Sequence, residues 1–213
     1  MSRAFEVVRD FELALSEMTG APYVVTTNSC TNALMIALAC WNVDQHKKGG
    51  PAAPLVLIPK RTYVGVPIAA AQAGCRVEFV DQWWLPEGRY RIWPTPVVDS
   101  ARTFGQGMYR AGTLECLSFH WHKPLGLQQG GAILHDRDDW DEWLRRARFD
   151  GRKEGVPIHL DTIQWPAWHC YLSPEIASLG LQRIAGWHTK DRVISYNGTD
   201  YPDLSQMECF KHA

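Results

Sequence analysis

Apolar residues along this chain fall into short runs separated by polar and glycine-rich stretches, and two periods alternate among them. Short runs rich in Val, Ile and Thr predict strands, whereas longer runs with apolar residues three and four positions apart predict helices. The predicted strands are 23–27, 55–58, 76–81, 97–99, 116–119 and 131–134, and the predicted helices are 5–15, 33–39, 66–72, 140–148 and about 174–186. This alternation predicts a three-layer α/β/α sandwich with a mostly parallel sheet.

Two stretches do not follow this pattern. Residues 82–96 are rich in Trp, Pro and Arg and have no helical period, and residues 196–213 have no clear period. The first stretch is barely long enough for a minimal crossover between parallel strands. We therefore expect an irregular connection in the middle of the domain and an irregular C-terminal segment.

The composition is that of a globular protein, with 213 residues, 46% hydrophobic and 21% charged. Its formal net charge of -1 implies no bulk attraction to nucleic acid or to an anionic membrane. Six cysteines without a C-x-x-C pair, in a chain that shows no secretory leader, predict reduced thiols in a cytoplasmic protein. For that reason we expect the glycosylation pattern Asn197-Gly198-Thr199 to be a chance match.

One local stretch departs from this neutral balance. We expect its cations to form a solvated helix end, where they complement the helix dipole, and contact with nucleic acid is the alternative. The five residues are Arg145, Arg146, Arg148, Arg152 and Lys153.

Lys123 occupies a position that is typical of a reactive lysine. Lys123 follows an apolar run that ends in Ser118-Phe119-His120, and it precedes the pair Gly130-Gly131 that opens the next apolar run. An amine held at the exit of a buried strand suits covalent chemistry. An ordinary surface lysine in a loop is the alternative.

Three further features follow predicted strands, at the ends where open α/β sheets bind ligands. Ser29-Cys30-Thr31 precedes a helix, so it predicts a phosphate site or a simple helix cap. Tyr63 could lie flat on an aromatic ligand or pack within its loop. Asp99 could pair with a protonated ring nitrogen or cap a helix. With Lys123, these features meet the four needs of pyridoxal 5'-phosphate (PLP): an anion site, a stacking face, a carboxylate and an amine.

The same residues lie in motifs that resemble the DegT/StrS-type sugar aminotransferases, which are PLP enzymes of fold type I. Asn-Ser-Cys-Thr-Asn-Ala-Leu at 28–34 is similar to the family's phosphate motif, and Val-Asp-Ser-Ala at 98–101 to its carboxylate motif. Residues 59–81 resemble its Pro-x-x-Thr-Phe block, and residues 118–132 closely match its lysine motif. The resemblance covers roughly residues 5–185.

This resemblance implies a role for each candidate residue. Lys123 would form the Schiff base with PLP and move the proton, and Asp99 would keep the pyridine nitrogen protonated. Tyr63 takes the place of the family's stacking aromatic residue. The phosphate site would be formed by Ser29, Cys30, Thr31 and Ser118. The family also implies a homodimer with active sites near the interface.

Three departures from the family bear on the fold and on the charge of the site. The connection between Asp81 and Val97 is shortened, and the family's small domain is essentially absent after Arg192. We therefore expect a truncated fold-type-I large domain over residues 1–192 and a short remnant over 193–213. Arg102 stands where a neutral amide is usual.

Three functions are compatible with these features. The first is a PLP-dependent aminotransferase that uses a carbonyl substrate and an amino acid donor. The second is a PLP-dependent decarboxylase of an amino acid attached to a bulky or nucleic-acid substrate, such as a modified base of phage DNA in the host cytoplasm. The third is a non-catalytic binding subunit, against which Lys123 and Asp99 both argue. We predict no metal site at His120-Trp121-His122, because these histidines lack a carboxylate or cysteine partner.

Overall fold

The computed structural model describes residues 3–81, 87–187, 192–195 and 200–210. The helices within these ranges are α1 (Arg3–Thr19), α2 (Cys30–Lys47), α3 (Gly65–Gln72), α4 (Asp138–Ala147) and α5 (Pro174–Ala185). The strands are β1 (Tyr23–Thr27), β2 (Leu55–Pro59), β3 (Arg76–Val80), β4 (Tyr90–Arg91), β5 (Val97–Asp99), β6 (Thr103–Phe104), β7 (Leu114–Ser118), β8 (Gly131–His135) and β9 (Arg192–Val193). The glycosylation pattern at 197–199 lies outside the described residues.

The central sheet has five strands in the order β1-β8-β7-β5-β4. The prediction of a mostly parallel sheet is wrong here, because β5 and β7 are parallel whereas the other three pairings are antiparallel. The physical reason is the length and content of the connections. Residues 119–130 between β7 and β8 contain no helix, and residues 92–96 form a tight return between β4 and β5. Without a helical crossover, the chain can only come back antiparallel.

The strands that precede the candidate site nevertheless share one direction. Strands β1 and β7 both pair antiparallel with β8, so they run the same way, and β5 is parallel to β7. A separate parallel pair, β2 and β3, lies beside this sheet, where the Leu57 N–H donates to the Trp93 carbonyl at 2.7 Å. The carboxyl ends of β1, β5 and β7 therefore meet at one edge, as a parallel sheet would have placed them.

Helices cover both faces of the central sheet, which confirms the three-layer arrangement. Alternate strand residues face opposite ways, so Cys116 and Ile133 join the core under α2, α3 and α4. Leu117 and Leu134 join a second core under α1 and α5. Helix α2 is longer than predicted, since it begins at Cys30 and continues to Lys47.

The basic stretch near α4 is not a solvated helix end, and that prediction is wrong. Arg148 is fully buried and forms ion pairs with Glu12 and with Glu154, the latter at 2.7 Å. Arg145 is paired with Glu12 and with Asp141, at 2.6 Å each. The sequence concealed the partner that the two arginines share, because Glu12 lies on α1, far away along the chain.

This ion network also fixes the ionisation of its central carboxylate. Burial by itself would raise the pKa of Glu12, but the charges of Arg148 and Arg145 outweigh it, and the pKa falls to about 2. A hydrogen bond from the Thr26 N–H, at 2.9 Å, acts in the same direction. The guanidinium groups of Arg145 and Arg148 are thus engaged inside the protein rather than presented to a polyanion.

The C-terminal residues that the structure describes lie against the rest of the fold. Strand β9 pairs antiparallel with β6, and short helical turns occupy Leu204–Gln206 and Glu208–Phe210. Leu204 is fully buried, and its N–H donates to the Lys60 carbonyl at 2.8 Å. Part of the stretch predicted to be irregular is therefore ordered. Across the described ranges, no helix is both long and apolar enough to span a membrane, and all six cysteines are free.

Candidate active site

A cavity of about 430 Å³ opens at the edge of the sheet where β1, β5 and β7 end. Every residue that the sequence singled out as a site residue lines this cavity: Ser29, Cys30, Thr31, Tyr63, Asp99, Ser118 and Lys123. They come from five different segments of the fold or its loops, so their convergence depends on the shared strand direction described above.

The first turn of α2 forms one end of the cavity. The Ser29 hydroxyl accepts a hydrogen bond from the Asn32 N–H at 3.1 Å, so Ser29 does cap the helix. The Cys30 thiol contacts the Cys116 carbonyl at 3.9 Å, and burial raises the pKa of this thiol well above its usual range. The contribution of Cys30 to an anion site would therefore be its backbone. Helix dipole and backbone together make this end suitable for a phosphate.

Glycine keeps the lysine-bearing side of the cavity close to this helix. A Cβ at Gly131 would lie 2.6 Å from the Cys30 nitrogen, so β8 can pass there only because the residue has no side chain. A Cβ at Gly65 would meet the Tyr63 ring at 2.7 Å and the Thr31 hydroxyl oxygen at 2.9 Å. Tyr63 is 55% exposed, so it lies at the rim of the cavity and is not a packed loop tyrosine.

Asp99 supplies a buried carboxylate to the middle of the cavity. It accepts hydrogen bonds from the Ala101 N–H at 2.9 Å and from the Tyr90 hydroxyl at 3.0 Å. A turn and β6 follow Asp99, so it does not cap a helix. Burial raises the pKa of Asp99, against the opposing effects of these two donors and of the positive charges of Lys123 and Arg102.

Tyr90 is a site residue that sequence reasoning missed. Its side chain is fully buried, and its hydroxyl lies 2.8 Å from that of Thr62 as well as hydrogen-bonded to Asp99. It belongs to the stretch 82–96, whose lack of helical period concealed a strand. The signal was a period of two, since Tyr90 and Ile92 are buried whereas Arg91 and Trp93 are exposed.

Lys123 lies in the loop between β7 and β8. Its backbone N–H donates to the His120 carbonyl at 2.7 Å, and the loop is anchored by Leu125 and Leu127, which are both buried in the core under α1 and α5. The side chain is half-buried at the cavity wall, not a free surface lysine. Burial, followed by the charges of His122 and Lys123, lowers the pKa of the neighbouring His120.

The C-terminal segment adds a wall that the sequence did not indicate. Tyr201 lines the cavity, and its carbonyl accepts a hydrogen bond from Arg61 at 3.1 Å. Arg102 donates to the Ser195 carbonyl at 2.7 Å and forms an ion pair with Asp200 at 2.8 Å. The arginine that replaces the family's usual amide therefore holds this segment in place.

The cavity fits PLP on one observation in particular. Asp99 is almost completely buried, yet its hydrogen-bond donors are neutral, and no ion-pair partner is found for it among the described residues. A buried carboxylate without a cation is unfavourable unless something compensates it. A protonated ring nitrogen would supply that cation, while the start of α2, Tyr63 and Lys123 would hold the phosphate, the ring face and the carbonyl carbon.

Solved structures show the class of fold. The sugar aminotransferase CalS13 from Micromonospora echinospora superimposes with a TM-score of 0.66 at 18% identity, over 84% of this chain and 61% of that one. The ntda protein from Bacillus subtilis with bound cofactor PMP gives a TM-score of 0.65 at 20% identity, over 84% of this chain and 47% of that one. The fold is therefore that of the PLP-dependent sugar aminotransferases.

Sequence comparison matches part of the chain to one family. The sequence model of the DegT/DnrJ/EryC1/StrS aminotransferase family matches residues 2–83. A curated relative, the UDP-4-amino-4,6-dideoxy-N-acetyl-beta-L-altrosamine transaminase of Campylobacter jejuni, is 22% identical over 83% of this chain. These matches confirm the resemblance seen in the motifs. The chain spans 56% of the length of that relative.

Proposed function

We propose that the protein is a PLP-dependent aminotransferase that acts through Lys123, with a small-molecule carbonyl substrate, a sugar by analogy with its relatives, and an amino acid donor. The observation that carries this proposal is the meeting of Lys123, the buried Asp99 and the start of α2 in one cavity. The names of the relatives, which are transaminases and sugar aminotransferases, support the same chemistry.

Each residue of the candidate site has a distinct task in this proposal. PLP, when bound, supplies a carbonyl that takes up amines and a ring that accepts electrons. The Lys123 amine would hold the cofactor and then accept and return the proton of the substrate carbon. The ionised Asp99, held by Tyr90 and the Ala101 N–H, would bind the ring nitrogen and favour its protonated form.

The remaining residues of the site would bind the cofactor and enclose the cavity. The backbone at Cys30 and Thr31 and the hydroxyl of Ser118 would bind the phosphate at the helix N-terminus. Tyr63 would cover one face of the ring. Tyr201 narrows the opening and limits the access of water to the proton that Lys123 moves.

The first half-reaction of transamination, in which glutamate gives up its amino group, tests this function directly. The PLP-loaded protein is mixed with glutamate, and the visible spectrum is followed while 2-oxoglutarate is measured. We expect stoichiometric oxoacid from the wild type and from Lys153→Ala, which removes an exposed lysine, and none from Lys123→Ala. Release of carbon dioxide without oxoacid would replace this function by the decarboxylase. The structure gives that alternative no support, because Arg145 and Arg148 are paired internally.

Assembly, domain limits and location form part of the same proposal. We expect a cytoplasmic homodimer, with residues 1–192 as the PLP-binding domain and residues 193–213 as an appended segment. Six free thiols fit a reducing compartment.

Trp121 and Tyr63, which are 62% and 55% exposed and line two adjoining cavities, offer apolar surface that a partner subunit could cover. A fully active monomer in sedimentation would contradict the dimer.

A further inference from the structure

Strand β3 forms an outer edge of the fold among the residues that the structure describes. It pairs with β2 on one side only. The Arg76 N–H donates to the Pro54 carbonyl at 3.0 Å, so the backbone of Arg76 faces β2. In a parallel pair every second residue of a strand bonds to that neighbour. The N–H and carbonyl groups of Val77 and Phe79 therefore point away from β2.

Another edge of the fold, at β1, is closed by side chains. Strand β1 is an outer strand of the central sheet in the described ranges. Glu12 accepts from the Thr26 N–H at 2.9 Å, and Arg148 donates to the Thr26 carbonyl at 2.6 Å. No described group bonds in this way to the backbone of Val77 or Phe79. An edge strand whose N–H and carbonyl groups are unpaired is a template for another strand.

The sequence of β3 suits pairing with a copy of itself. It is Arg-Val-Glu-Phe-Val at 76–80, with branched and aromatic residues that favour strands and without proline or glycine. Arg76 and Glu78 have opposite charges and lie two residues apart, so they project on the same face. Both are exposed, and no ion pair is found for either one among the described residues. The strand is neutral overall, whereas many edges that avoid pairing carry lysine.

A twofold axis at Val77 makes these two charges complementary. In an antiparallel pair of β3 strands centred there, Val77 faces Val77 of the second copy and exchanges both backbone hydrogen bonds with it. Arg76 then faces Glu78 of the second copy, and the reverse pair forms as well. These are non-hydrogen-bonded positions, where opposite side chains come closest. The register with Val77 facing Phe79 is disfavoured, because it places the two Glu78 carboxylates opposite each other.

We propose that β3 is a self-association surface, and that its partner is the β3 strand of a second copy of this chain. The two strand pairs then form one four-stranded sheet, β2-β3-β3-β2, across the twofold axis. No residue of β3 lines the candidate active site or the adjoining cavity of about 660 Å³ beside Lys123. The surface is therefore distinct from a dimer formed around Tyr63 and Trp121, and it does not depend on the proposed function.

Charge reversal followed by mixing tests this surface. Sedimentation velocity is measured over a range of concentrations for the wild type, Arg76→Glu, Glu78→Arg and an equimolar mixture of the two variants. We expect each reversal alone to weaken the association through β3 at least about tenfold, because both ion pairs become contacts between like charges. We expect the mixture to associate like the wild type, because a pair made of one chain of each variant has both opposite-charge contacts again.

Glu17→Arg is the matched control, because it changes the charge as Glu78→Arg does, at an exposed position of α1, and is expected to sediment like the wild type. The proposal is overturned if the wild type does not associate, or if the single reversals associate as tightly as the wild type. It is also overturned if the mixture stays as weak as each variant alone. Circular dichroism checks the folding of each variant. Should a reversal unfold the chain, Arg76→Gln and Glu78→Gln decide, each with an expected several-fold loss.

Discussion

The hydroxyl of Tyr90 donates a hydrogen bond of 3.0 Å to Asp99, and so joins the least regular stretch of the sequence to the central carboxylate of the cavity. Both side chains are buried. Burial raises the pKa of Asp99, and this hydrogen bond acts against that rise because it stabilises the ionised form. Tyr90 therefore favours the state of Asp99 that can bind a protonated ring.

Tyr90→Phe should weaken the binding of PLP. Loss of a hydrogen bond to a charged group lowers affinity by about tenfold, since such bonds contribute about 1.5–3 kcal/mol. Spectrophotometric titration with PLP measures this effect. Tyr109→Phe is the matched control, because the Tyr109 hydroxyl donates to the Thr113 carbonyl at 3.2 Å and Tyr109 does not line the cavity. Equal affinities in wild type and Tyr90→Phe would contradict the role of Tyr90.

Asp99→Asn should stabilise the cofactor-free protein and weaken its hold on PLP. A carboxyl whose pKa is raised in the folded state destabilises that state when ionised, so the effect is present at neutral pH and vanishes as pH falls towards about 4. We expect Tm to rise by about 2–4 °C at pH 7.5, with little change near pH 4. A lower Tm at pH 7.5 would show that the buried, ionised Asp99 does not destabilise the folded state.

Glu12→Gln should strongly destabilise the fold, because it leaves Arg148 and Arg145 buried beside a neutral side chain. The expected loss is about 3–5 kcal/mol in the free energy of unfolding, measured with urea. Since the pKa of Glu12 is lowered to about 2, its contribution is complete above about pH 4.5 and is lost as pH falls towards 2. The gap between wild type and variant should therefore narrow in acid. A gap that is constant with pH would contradict the ion network.

Leu204→Ala should loosen the C-terminal segment that carries Tyr201. Leu204 is fully buried, so the truncation leaves a space beneath the segment and costs about 2–5 kcal/mol at that site. We expect the Kd for PLP to rise several-fold, and limited proteolysis to cut earlier within residues 200–210. Leu160→Ala, at a side chain that is 69% exposed, serves as control. Unchanged PLP affinity in Leu204→Ala would show that the segment does not support the cavity.

The candidate site could be predicted from sequence because its residues stand directly after buried strands. Asp99 ends β5, and Lys123 follows β7 within a few residues, so strand direction alone brings them together. The antiparallel pairing of β8 did not disturb this, since it lies between two strands of the same direction. The local sequence pattern was sufficient to predict the site wherever the contact between two site residues followed from the direction of the strands that precede them.

What the sequence did not show depends on contacts between distant residues. The burial of Arg148 requires Glu12, which lies on the first helix. A charged helix end has the same sequence pattern whether its side chains are solvated or paired. Tyr201 lines the cavity where Arg61, Arg102 and the Lys60 carbonyl hold the C-terminal segment. No periodicity records such contacts, because each is made by a single side chain or backbone group.

Covalent trapping of PLP tests the central claim most directly. The protein is incubated with PLP, reduced with borohydride, digested and mapped by mass spectrometry, with Lys123→Ala and Lys153→Ala treated in parallel. We predict one reduced phosphopyridoxyl group per chain, located on Lys123, retained in Lys153→Ala and absent from Lys123→Ala. A protein that carries no adduct, or an equal adduct in Lys123→Ala, would contradict the assignment of Lys123 as the lysine that holds the cofactor.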